Sequence, residues 1–206
     1  MTKTMKTYFP VILVLSLIFL VACEEDFMTD RRITGSGKIE SVTVSAEDFS
    51  AINLEHVANV YVYTGKERKI VFTAYENILP YMEAQVIGDE LILGFNRNIS
   101  VNSDEEIRVE VSVPDIKEIS LEGVGNYYLE GPPQYSLKVE LDGVGNIEAF
   151  GLPVTLAEID LNGNGNIEID ASEYLAVDID GLGNVYFKGS PQLTVDINGL
   201  GEVIRK

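Results

Sequence analysis

The sequence predicts an all-β protein whose second half is a parallel β-helix, and three observations carry that expectation. A Gly-x-Gly-Asn motif recurs at Gly123-Val124-Gly125-Asn126, Gly143-Val144-Gly145-Asn146, Gly163-Asn164-Gly165-Asn166 and Gly181-Leu182-Gly183-Asn184, and a variant follows at Gly199-Leu200-Gly201-Glu202; the spacings are 20, 20, 18 and 18 residues. Before each motif apolar residues alternate with polar ones, as in Leu137, Val139 and Leu141 or Leu193, Val195 and Ile197. That period of two puts successive side chains on opposite faces of a strand. Repeats this short cannot bury an apolar face alone, so each must stack on the next.

In chain order, Met1 to Ala22 begins with Lys3 and Lys6 and continues through apolar Val11 to Val21, the pattern of a secretory signal peptide. Tyr8 to Ala22 spans fifteen residues and contains Pro10, short of the ~20 apolar residues a spanning helix needs. Leu20-Val21-Ala22-Cys23 resembles the lipobox of bacterial lipoproteins, which implies a leader over 1–22, lipidation of Cys23 and a membrane contact made by that lipid. Glu24-Glu25-Asp26 resembles the acidic signal that sends lipoproteins of Bacteroides-like bacteria to the outer face of the outer membrane. It reads equally as the start of a solvated tether over 23–35. Cys23 is the single cysteine, so disulfides and cysteine-rich metal sites are excluded.

The expected head domain covers 36–206, with irregular coils over 36–115 and regular repeats over 116–206. Strand-like alternation marks Lys69 to Thr73, Glu90 to Gly94 and Ile107 to Val113, and Asn77 to Met82 reads as one helical turn. Ile52-Asn53-Leu54-Glu55-His56-Val57-Ala58-Asn59-Val60-Tyr61 matches Ile119 to Tyr128 position by position, with His56 and Ala58 in place of the two glycines. In the repeats, parity places Leu121, Leu141, Leu161, Ile179 and Ile197 in one interior column. Glycines 123, 125, 143, 145, 163, 165, 181, 183, 199 and 201 fall at the bends: Gly123, Gly125, Gly143, Gly145, Gly163, Gly165, Gly181, Gly183, Gly199 and Gly201, where the lack of a side chain lets a wall turn or pack closely. Gly131-Pro132-Pro133, Gly151-Leu152-Pro153 and Gly189-Ser190-Pro191 mark corners.

This order of features resembles a known family: the lipobox leader, Ile52-Asn53-Leu54 through Tyr63-Thr64-Gly65, Glu76-Asn77-Ile78-Leu79-Pro80-Tyr81, then the Gly-x-Gly-Asn repeats. The chain is similar, over roughly Ser36 to Arg205, to the head GIN domain of auto-transporter adhesins. The resemblance implies a right-handed, single-stranded β-solenoid with 18 to 20 residue coils. It implies an adhesive role, and it brings no catalytic residues.

The formal charge is −18. Removing the leader with its two lysines leaves 33 acidic against 13 basic residues, a charge of −20, which excludes nucleic acid and anionic lipid as electrostatic partners. Parity sets Glu140, Asp160, Asp178 and Asp196 in one outward column and Glu122, Asp142, Asn162, Asp180 and Asn198 in another. This wall reads either as a solvated acidic face or as a site for Ca²⁺, which takes oxygen ligands; no other cofactor is expected. Asn126, Asn146, Asn166 and Asn184 form a column of bend residues. His56 is the sole histidine, which leaves no spare base for a nucleophilic triad. Tyr61, Tyr63, Tyr127, Tyr128 and Tyr186 suggest an aromatic surface, with Tyr127 on inward parity.

The expected function is therefore a lipid-anchored, non-enzymatic envelope protein, an outer-membrane lipoprotein that binds a glycan or protein through its flank. Two alternatives stand beside it. One is an assembly role in which the open strand edge after Val203 docks by strand addition. The other is a polysaccharide-acting enzyme using Glu140, Asp160 or Asp178.

Overall fold

The computed structural model describes residues 31–96 and 99–206; the leader, Cys23 and Glu24-Glu25-Asp26 lie outside the described residues. Seventeen strands follow in order: β1 (Arg31–Thr34), β2 (Ile39–Val44), β3 (Ala51–Leu54), β4 (Val57–Tyr63), β5 (Lys69–Tyr75), β6 (Met82–Ile87), β7 (Glu90–Phe95), β8 (Ile99–Asn102), β9 (Arg108–Ser112), β10 (Glu118–Leu121), β11 (Val124–Glu130), β12 (Gln134–Leu141), β13 (Val144–Leu161), β14 (Ile167–Ile179), β15 (Val185–Lys188), β16 (Gln192–Ile197) and β17 (Val203–Arg205). The helical turn expected at Asn77 to Met82 is a single 3₁₀ turn, Leu79–Tyr81. Arg31–Thr34, counted in the tether, pairs as β1 with β8 in a small parallel sheet.

The expectation of a right-handed parallel β-helix, a single-stranded solenoid through 36–206, is corrected by the sheet topology. The remaining strands form one mixed sheet that curls into a nearly closed barrel. Its main path runs β2-β5-β9-β4-β11-β13-β12-β10-β3-β7-β6, and β14 to β17 attach through β13. Three pairings, β2 with β5, β5 with β9 and β6 with β7, are antiparallel. The physical reason lies in the first half, where local hairpins replace coils: Gly88, at φ 70°, supplies the positive φ that a two-residue β-hairpin turn needs.

A second correction concerns the corners. Gly151-Leu152-Pro153 does not end a strand, because β13 runs through it with a shifted register. The early part of β13 pairs β11, its later part pairs β12, and so one strand joins both halves of the sheet. Within the sheet the glycine motifs lie side by side in parallel, Gly125 opposite Gly145 and Asn126 opposite Asn146. The early copy lies in the register its sequence implies, with Ile119 opposite Ile52 and Gly125 opposite Ala58.

A single apolar core fills the interior. Leu121, Leu141, Leu161 and Ile179 are fully buried, each contributing about 1.5–3 kcal/mol relative to exposure, whereas Ile197 is 40% exposed. Ile197 departs from the expected interior column because no described strand covers β16. Tyr127 is fully buried, and its hydroxyl donates to the Ser120 carbonyl at 3.1 Å, which settles the polar end of an otherwise apolar side chain.

Candidate functional site

The acidic wall is built on β10, β12, the later parts of β13 and β14, and β16. Register sets Glu140 opposite Asp160, Asp160 opposite Asp178, and Asp178 opposite Asp196. At the bend two residues on, Glu122, Asp142, Asn162, Asp180 and Asn198 each donate a backbone N–H to the preceding row, from Asp142 to Leu121 and from Asp180 to Leu161 for example. Neighbouring rows lie about 4.8 Å apart, so carboxylates in such columns repel unless other groups intervene.

Other groups do intervene. Lys138 reaches Glu118 Oε1 at 3.3 Å and bonds Glu140; these partners hold its ammonium above the ordinary lysine range, the Glu140 hydrogen bond contributing most. Asn162 Nδ2 donates to Asp142 Oδ1 at 2.9 Å, and Asn53 Nδ2 to Glu122 Oε1 at 2.9 Å. Among the described residues no group of three or more acidic, histidine or cysteine side chains converges as a metal site.

The wall instead holds two adjoining depressions. One, about 290 Å³, is lined by Lys117, Lys138, Leu156, Glu158, Tyr174 and Ala176 among others. The other, about 230 Å³, shares Glu158 and Ala176 and continues to Asp160, Asp178, Thr194 and Asp196. The groove exists because the column Lys138, Glu158, Ala176, Thr194 drops to a methyl group at Ala176. Tyr174 stands at its edge, half-exposed, its hydroxyl 3.2 Å from Thr194 Oγ1. Asp178 Oδ1 is buried without a hydrogen-bond partner, an acceptor whose desolvation is uncompensated.

Burial pushes the Asp160 carboxyl up, against the lowering pull of Lys138. A carboxyl raised in the folded state binds protons more readily there than when unfolded, so its contribution to stability falls as pH rises through the raised value. Thermal melting should show Asp160→Asn more stable than the wild type at pH 7.5. The difference should shrink as pH falls toward the ordinary aspartate range; a constant difference would remove Asp160 as the cause.

The asparagine column is a hydrogen-bonded ladder. Asn146 donates its backbone N–H and its Nδ2 to Asn126 Oδ1, both at 3.0 Å, and its own Oδ1 accepts the Asn166 N–H at 3.1 Å. The ladder extends from Asn59 to Asn184, and Glu202 adds its N–H at 3.0 Å. These side chains spend their polar groups on the fold.

The tyrosines are similarly engaged. Tyr61 lies between Tyr128, stacked at 4.6 Å, and the Arg108 guanidinium, 3.3 Å from the ring centre. Burial, with the hydrogen bond to Glu106, pushes its hydroxyl up to about 12. Tyr63 and Tyr186 carry Lys66 and Lys206 over their rings. His56 packs edge-on against Phe95. The sequence thus located the acidic columns, but it missed Leu156, Tyr174 and Ala176, which give the wall its shape.

Among the described residues, no helix is long and apolar enough to cross a membrane. A family model described as "Putative auto-transporter adhesin, head GIN domain" matches residues 48–136 and 123–191. No curated protein matches the sequence. Among solved structures, the chain is similar to a "putative adhesin" from Bacteroides fragilis NCTC 9343, with 20% identity and TM-score 0.54, over 84% of this chain and 100% of that one. It is also similar to a "putative adhesin" from Parabacteroides merdae ATCC 43184, with 19% identity and TM-score 0.39, over 85% of this chain and 99% of that one. A "putative lipid binding protein" from Parabacteroides distasonis ATCC 8503 matches with 18% identity and TM-score 0.38, over 85% of this chain and 100% of that one.

Proposed function

Starting from the fact that the chain belongs to the auto-transporter adhesin head GIN domain family, we propose that it is a lipid-anchored outer-membrane protein that binds neutral or amino-bearing glycans without catalysis. The single observation that carries this reading is the groove on the acidic wall, where Tyr174 lines one depression and Asp178, whose Oδ1 has no hydrogen-bond partner, lines the adjoining one. A carboxylate accepts hydrogen bonds from sugar hydroxyls, and a tyrosine ring offers an apolar face with a polar rim. Charged and hydroxyl side chains around a small apolar floor of Leu156 and Ala176 suit a small polar ligand. The surrounding Glu158, Asp160 and Asp196 repel uronates and sulfated sugars, which decides the class in favour of uncharged or cationic sugars.

Anchoring rests on the lipobox-like Leu20-Val21-Ala22-Cys23. In the native bacterium, Cys23→Ser should move the protein out of the membrane fraction, and intact cells should lose its protease-accessible pool. Beads coated with neutral oligosaccharides should be retained by cells carrying the wild type and not by cells carrying Tyr174→Ala. Membrane retention of the Cys23→Ser protein would overturn the anchor, and equal bead retention would overturn the groove.

A further inference from the structure

Apart from the groove, we infer that the central residues of the Gly-x-Gly bends form a docking ridge for a basic amphipathic helix of a partner polypeptide. Pairing at the bend aligns Val57, Val124, Val144, Asn164, Leu182 and Leu200 in one column. Their backbone N–H groups are spent on the preceding row, from Val124 to the His56 carbonyl, from Val144 to Gly123 and from Leu182 to Gly163. The side chains point outward: Val57, Val124, Val144 and Leu182 are 46–51% exposed and Leu200 is 75% exposed. An exposed corner favours polar residues, so a column there that is apolar at every position but Asn164 marks an interaction surface. At about 4.8 Å per row the column runs about 24 Å.

At one end the ridge drops into a cleft of about 370 Å³ between Val57 and Val124 on one side and Val101 to Ile107 on the other, with Glu105 and Glu106 at its rim. Along one flank runs the exposed acidic column of Glu55, Glu122, Asp142 and Asp180. The occupant must therefore present an apolar stripe with cations beside it. An extended strand turns alternate side chains to opposite faces, so it cannot offer both at once. An amphipathic helix can: its apolar stripe covers the ridge, and flanking lysines extend their stems toward the carboxylates. At 1.5 Å per residue, about 16 residues match the ridge. A second copy of this chain is disfavoured, because each copy without its leader brings a charge of −20, 33 acidic against 13 basic residues.

The test uses three helical 18-residue peptides and the protein from residue 31 onward: one peptide with a leucine stripe flanked by lysines, one with the same stripe flanked by glutamates, and one with lysines but serines in the stripe. Fluorescence anisotropy should show the leucine–lysine peptide binding at least tenfold more tightly than either of the others, and more weakly as salt rises. The combined substitution Val124→Ser, Val144→Ser and Leu182→Ser should abolish that preference while the protein still melts cooperatively. The combined substitution Glu122→Gln, Asp142→Asn and Asp180→Asn, which keeps the side-chain oxygen acceptors, should remove the salt dependence. Equal binding of the lysine–serine peptide would reduce the contact to charge alone and overturn the ridge. Ridge-dependent partition of the protein into phosphatidylcholine vesicles, without peptide binding, would reassign it to lipid.

Discussion

Gly145→Ala is expected to destabilise the protein by about 3 kcal/mol, the sum of overpacking at ~1–3 kcal/mol and left-handed backbone strain at ~1–2 kcal/mol. Gly145 sits at φ 154°, and a Cβ there would overlap the Gly125 carbonyl oxygen, with Leu121 Cδ2 behind it at 3.1 Å. The obstacle is backbone in the neighbouring row, which cannot rotate away as a flexible side chain could. Gly88→Ala separates the two causes. Gly88 also has positive φ, but a Cβ there meets nothing within 4 Å, so only strain remains and about 1 kcal/mol should be lost. Urea denaturation of both variants should give midpoints in that order. Equal midpoints would mean that row-to-row approach at the bend does not limit the fold.

Asn146→Leu, close to isosteric, is expected to cost about 2–3 kcal/mol, because it leaves the part-buried Asn166 N–H and Nδ2 without their acceptor. Asn146→Asp should behave differently. It keeps an oxygen for the Asn166 donors, but it replaces the Nδ2 donor to Asn126 Oδ1 with a second, charged oxygen. At neutral pH a loss of about 1 kcal/mol follows, and it should recede in acid, where a protonated carboxyl donates again. Thermal melts at pH 7.5 and pH 4.5 distinguish the two variants, since only the aspartate variant's deficit should depend on pH.

These bends were legible in the sequence because glycine and asparagine recur at fixed spacing, and because the same spacing sets the parallel register of Asn126, Asn146, Asn166 and Asn184. The partnership of Ile52 with Ile119 was legible too, across 67 residues, through similarity of the two copies. The sheet as a whole was not. The pairings of β2 with β5, β5 with β9 and β6 with β7 join segments with no shared motif, and period-two alternation is the same for parallel and antiparallel neighbours. Gly151-Leu152-Pro153 misled for a related reason: those residues permit a corner but do not forbid a strand that continues through a register shift.

The site divides in the same way. Alternation identifies which acids face outward, hence Glu140, Asp160, Asp178 and Asp196, but it does not reveal depth. Depth arises where a small residue stands beside larger neighbours, as Ala176 does between Glu158 and Thr194, and that depends on which strands become neighbours. The apolar ridge carried a signal that alternation hides: valine or leucine at the exposed centre of four of the five glycine motifs, where a bend would otherwise take polar residues.

The most direct measurement is a glycan array probed with the protein from residue 31 onward, as wild type, Tyr174→Ala and Asp178→Asn. Binding by the wild type to neutral or amino-bearing oligosaccharides and not to acidic ones, lost in Tyr174→Ala and weakened at least tenfold in Asp178→Asn, is the expected result. Absence of binding by the wild type, or a binding pattern shared by all three proteins, would contradict a glycan site on the acidic wall.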